Sequence, residues 1–185
     1  MIERGRTTRW SNIMRHQTIL SGLIVSALLL ALLGGAAPLG AAEPEHAIRI
    51  DVPVVLKAPR VVFNLDHLVF NGDLPVGFRY MGLLAKRLKE LNTDGDIIGL
   101  LYGETAYLTL NDQAYNTFRQ VDTGNPYKGA IADLQKQGIR IEGCAFSMKV
   151  HHWGNADLLP GVKVNTGAIG RLIQLVQDGY VQIQP

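Results

Sequence analysis

A single cysteine, Cys144, stands in 185 residues, which excludes any intrachain disulfide. Aromatic residues make up only 7% of the chain, and they are not interleaved with a cluster of Lys and Arg. A nucleic-acid surface needs such a patch, so no nucleic-acid partner is expected. The glycine-containing stretches GNPYKG and TGNP match neither the G-x-G-x-x-G nor the Walker A spacing. No G-x-S-x-G elbow is present either, which leaves a hydrolase of that type without support. No organic cofactor is implied by any motif.

What the chain does have is an unusual beginning. MIERGRTTRWSNIMRHQ carries Arg4, Arg6, Arg9 and Arg15 against one acid, Glu3. The run from Thr18 to Ala37 is uncharged and apolar, and small residues follow, with Gly40 and Ala42 at −3 and −1 of a cut after Ala42. Basic, apolar and small-residue regions in that order predict a secretion signal over 1–42. The apolar run is also about long enough to span a bilayer as an uncut anchor. The globular part is therefore expected outside the cytoplasm, in the periplasm, either released or anchored in the inner membrane. Removing the four arginines and one glutamate of this segment leaves 14 basic and 15 acidic residues, a net charge near −1 rather than +2.

Residues 43–58 read as a linker and 59–185 as one domain. RVVFNL (60–65) is short, β-branched and bounded by Pro59 and Asp66, as a buried strand should be. Residues 73–92 predict a helix, with Asp73 as cap, Pro75 in the first turn, and Leu84, Leu88 and Leu91 at helical spacing. DGDIIGLLYG (94–103) predicts a second strand. A short helix follows within TLNDQAYNTFRQVDTG. A further helix is predicted over 125–138, with Asn125 as cap, Pro126 first and Gly138 as terminator.

IRIEGC and GVKVN (161–165) then read as strands. Residues 166–179 read as a helix with Ile169, Leu172, Ile173 and Val176 on one face. YVQIQP closes the series. Short apolar strands alternating with helices predict an α/β fold. The expected core is a mainly parallel sheet of about five strands with helices on both faces, a three-layer sandwich.

In such sheets, ligand and catalytic groups gather beyond the carboxyl ends of the strands, and Cys144 stands at the end of the third. A helix starting there would favour its thiolate, with Lys149, His151 or His152 adding positive charge. Free cysteine is equally a common buried residue, so a packing role stays open beside a reactive one. Cys144, Met148 and His151 would share one face of a continuous helix and could offer soft ligands to copper. The spacing matches no dedicated metal motif, which favours ordinary packing. Asp66, His67 and Asp73 after the first strand, and Glu104 and Tyr107 after the second, would reach the same sheet end. Asp66, His67, Glu104, His151 and His152 are thus candidate pocket-lining residues, with loop solvation as the simpler role for each.

The stretches RVVFNLD, NGDLPVGFRYMGLLAKRLKELN, IIGLLYGETAYLTLND, GNPYKGAIADLQKQGIRIEGCAFSMK and GVKVNTGAIGRLIQLVQDGYVQIQP together resemble the DsrE/DsrF-like family over residues 58–185. The resemblance implies a compact α/β fold assembled as homo-oligomers, often trimers or hexamers. It also implies sulfur relay, in which a cysteine after the third strand holds sulfur as a persulfide between a donor and an acceptor protein. Cys144 stands at the matching position. The alternatives are an oligomeric binding module with Cys144 structural, and soft-metal binding by Cys144, Met148 and His151.

Overall fold

The computed structural model describes residues 46–185; the signal or anchor expected over 1–42 lies outside them. The unit described here is Ile50–Pro185. Among the described residues, no helix is long and apolar enough to cross a membrane.

The first strand, β1 (Arg60–Leu65), starts directly after Pro59, and its last five residues are buried. Two short strands follow, β2 (Phe70–Asn71) and β3 (Leu74–Pro75), paired antiparallel. Between them Gly72 turns the chain with φ +63°, the conformation that a two-residue hairpin demands and glycine adopts freely. This corrects the predicted helix start. Asp73 sits in the hairpin turn and caps nothing, and helix α1 runs Val76–Glu90 with Pro75 before it. The helix could not start at 73 because Leu74 and Pro75 are committed to the ribbon.

Strand β4 (Asp96–Leu101) leads into a 3-10 segment, Gly103–Thr109. Helix α2 (Asp112–Arg119) is capped by the Asn111 side chain, which accepts from the Ala114 amide. Helix α3 (Lys128–Lys136) begins two residues after Pro126, the predicted first position. Asn125 does not cap it in the usual way. Its buried side chain donates to the Leu108 and Leu110 carbonyls at 2.9 and 2.6 Å and accepts from the Tyr127 amide at 2.8 Å. Gly138 does follow the helix with φ +85°.

Strand β5 (Arg140–Cys144), helix α4 (Ala145–Val150), strand β6 (Lys163–Asn165), helix α5 (Ala168–Gln177) and strand β7 (Val181–Ile183) complete the chain. The five longer strands form one sheet in the order β6-β5-β4-β1-β7, every pair parallel. Strand alternation sends Val61, Phe63, Leu65, Ile97, Leu101 and Ile141 to one face, where they meet Phe78, Met81 and Leu88 of α1 and Ile131 and Leu134 of α3. Val62, Ile98, Leu100 and Cys144 face the other way, against Ala168 and Leu175 of α5. The result is the expected three-layer α/β sandwich. Eighteen buried residues form the first core cluster and seven the second, so the α5 side is the thin layer.

The rotation of α5 differs from the sequence reading. Ile169, Ile173 and Val176 are 62%, 54% and 47% exposed, while Ala168 and Leu175 are buried. The inward positions are 168, 171, 172 and 175: Leu172 of the predicted face does pack against this core, and the stripe also includes an arginine. Arg171 is held there by Glu142 on β5, donating to it from Nε at 2.9 Å and Nη2 at 2.8 Å. A bidentate charged pair to a buried carboxylate outweighs the apolar preference of the opposite stripe.

Candidate functional site

Cys144 ends β5 with extended backbone, φ −93° and ψ 119°. Being extended rather than helical, it sends its side chain to the α5 face, beside Glu142 in strand alternation. Its Sγ accepts a hydrogen bond from the Ala168 amide at 3.3 Å. Thus the sulfur at the end of β5 meets the first turn of α5, while α4 starts at the next residue. Only 4% of Cys144 is exposed, yet it borders a cavity of about 490 Å³ with Tyr102, Phe146, Ser147, Val150 and Ile169.

Two influences oppose each other at the thiol. Burial raises its pKa, whereas hydrogen bonds from the Ser147, Ala168 and Phe146 amides and the Ser147 side chain lower it; the net direction is down. Those donors stabilise the thiolate more than the thiol. Ser147 is itself positioned by the Gly103 amide, which donates to its Oγ at 3.1 Å. Across the cavity, burial raises the Tyr102 pKa despite a hydrogen bond to Asn64, and the negative charges of Asp66 and Cys144 add to the rise. Tyr102 therefore stays a neutral phenol beside Cys144.

The predicted site residues separate into groups. Cys144 and His151 both border the cavity. His151 stacks on Trp153 with ring centroids 4.5 Å apart. Asp66 and His67 lie at the same sheet end but off the cavity wall. They pair at 2.6 Å, and Gln184 donates to Asp66 at 2.8 Å. Gln184 in turn accepts from Asn64, next to Tyr102. Burial alone would raise the Asp66 pKa, but His67 and Gln184 hold it below the usual carboxylate range. The Glu104 side chain is exposed, and its backbone amide donates to the Asp66 carbonyl at 3.2 Å. His152 is exposed at φ +59°, in the turn that ends α4.

Cys144, Met148 and His151 do not form one ligand set. Because α4 starts only at Ala145, the spacing that would align them is broken at Cys144. Met148 packs into the α1/α3 core, the cluster on the opposite side of the sheet from Cys144. Among the described residues, no group of three or more His, Cys, Asp or Glu is arranged to hold a metal.

The sequence reading missed the turn 166–170. Thr166, Gly167 and Gly170 border the thiol cavity and also a second cavity of about 560 Å³, lined by Glu142, Lys163, Asn165 and Gln174. The signal for it was the TGAIG stretch, read only as a helix start. Glu142 raises the Arg171 pKa by hydrogen bonding and charge, so the guanidinium stays ionised.

Comparison with known proteins gives one family and several solved structures. The model of the DsrE/DsrF-like family matches residues 80–185. A protein of unknown function, MTH1491 from Methanobacterium thermoautotrophicum, is 22% identical with a TM-score of 0.49, over 69% of this chain and 99% of that one. The YchN protein of E. coli is 14% identical with a TM-score of 0.47, over the same shares. No curated protein matches. The family match takes in β4 to β7, including Cys144 and the α5 turn that contacts it, and extends over more than half of the chain: this protein belongs to the DsrE/DsrF-like family.

Proposed function

We propose that this protein carries sulfane sulfur on Cys144, receiving it as a persulfide and passing it to an acceptor thiol. The observation that carries the reading is the position of Sγ. It borders a cavity and accepts the Ala168 amide, among groups that depress its pKa. The attacking species in sulfur exchange is the thiolate, so a depressed pKa raises its fraction near neutral pH. With polysulfide as donor, the thiolate attacks a terminal sulfur, a Cys144–S–SH bond forms, and the shortened polysulfide leaves with the electron pair. An acceptor thiolate then takes the outer sulfur and returns Cys144 as thiolate.

The same reading places the domain outside the cytoplasm, on the residue pattern of 1–42, and makes it a homo-oligomer. The exposed apolar face of Ile173 and Val176 supports assembly, because apolar surface of this kind marks interaction sites. A second reading has its own observation. Cys144 packs with Val62, Ile98, Leu100 and Leu175, as a structural residue would. In that case the protein is a binding module.

The test is intact mass after incubation with polysulfide, for wild type and Cys144→Ser. Sulfur gain in wild type alone, reversed by a reducing thiol, supports the carrier. No gain, with a thiol that labels only after unfolding, supports the binding module.

A further inference from the structure

We propose that the sulfur donor is a low-molecular-weight organic persulfide, R–S–SH, whose apolar R group occupies the cavity beside Cys144. This rests on the carrier reading above and names its donor class. The cavity, about 490 Å³, has the size of a small-molecule site. No Asp, Glu, Lys or Arg side chain lines it. Phe146 and Val150 from α4 and Ile169 from α5 border it instead, although each is more than half exposed. A dianion such as thiosulfate would shed its water there with no permanent cation to replace it, His151 being the one ionisable base on the wall. The protonated persulfide, the form whose outer sulfur a thiolate can attack, gains by leaving water when R is an alkyl or aryl group.

The glycines at the rim point the same way. Gly167 and Gly170 both border the cavity, and a Cβ built on either meets no heavy atom within 4 Å. Packing therefore does not require glycine at these positions. Backbone conformation does not require it either: Gly167 is extended at φ −178° and Gly170 lies within α5. Glycine in a helix is unfavourable relative to alanine. What the two residues provide is bare backbone that a ligand can approach closely.

The transfer balances without an added oxidant. The Cys144 thiolate attacks the outer sulfur of R–S–SH. A Cys144 S–S bond forms, the donor's S–S bond breaks, and its electron pair leaves on R–S⁻. The proton stays on the transferred sulfur.

The experiment compares benzyl hydropersulfide with thiosulfate as donors to the full chain, following sulfur gain on Cys144 by intact mass. Each rate is divided by that of the same donor with N-acetylcysteine, which removes intrinsic reactivity. The benzyl donor is expected to lead by about tenfold, the scale on which an apolar pocket discriminates. Gly170→Leu should keep or raise the melting temperature and slow the benzyl donor by about tenfold. Gly170→Ala serves if the leucine variant does not fold, with the same signs. Equal normalised rates, or a Gly170 variant that loads normally, overturn the donor assignment while the carrier reading stands. No gain from either donor overturns the carrier reading itself.

Discussion

The Ala168 amide donates to the Cys144 sulfur across 3.3 Å, joining residues 24 apart in sequence. This one bond anchors the first turn of α5 against the end of β5. It also places an N–H dipole at the atom where negative charge would reside.

The first prediction concerns that charge. Burial opposes ionisation of Cys144, but the amides of Ser147, Ala168 and Phe146 hold its pKa below that of the unfolded cysteine. A folded pKa below the unfolded one means the thiolate stabilises the fold. That contribution is full above the unfolded pKa and is lost as pH falls through the folded pKa. Urea midpoints of wild type relative to Cys144→Ser should therefore rise with pH across this window. A difference that is flat with pH would contradict the assignment.

The Glu142–Arg171 pair joins β5 to α5, with the Glu142 side chain only 8% exposed. Arg171→Ala leaves that carboxylate buried and unpaired, so it should cost about 3 kcal/mol. Replacing both together, by Glu142→Leu and Arg171→Met, should recover most of this loss. Denaturant melts of the two variants check it.

Asn125 ties the segment before α3 to the Leu108 and Leu110 carbonyls. Asn125→Ala strands two buried carbonyls and should cost about 3 kcal/mol. Asn125→Asp should be comparably harmful, because a carboxylate cannot donate to carbonyls. Chemical denaturation of both variants tests this.

The outward α5 stripe yields a prediction about assembly. Ile173→Asp should shift sedimentation toward monomer while leaving the melting transition of the isolated domain core little changed, since Ile173 is 54% exposed. Unchanged sedimentation would remove this face from the interface.

The layered fold was legible because the signals are local. The β-branched pairs at 61–62 and 97–98, and Gly138 after α3, fix strands and a helix end by backbone chemistry alone. The start of α1 was not legible, because the Gly72 hairpin competes with the cap that Asp73 resembles. The rotation of α5 was hidden for another reason. Its inward arginine makes sense only once Glu142, 29 residues away, is in place. At the site, Cys144 could be found from its position after an apolar strand. Tyr102, Ser147 and the turn 166–170 come from three separate stretches and converge only through the sheet order.

The central claim is that Cys144 both takes and gives sulfur. The most direct measurement loads the protein with ³⁵S-polysulfide, removes excess donor, and adds an acceptor thiol while following label on the Cys144 peptide. The account predicts label at Cys144 in wild type, none in Cys144→Ser, and stoichiometric movement of label to the acceptor. Label that never reaches Cys144, or reaches it and cannot be discharged, would contradict the account.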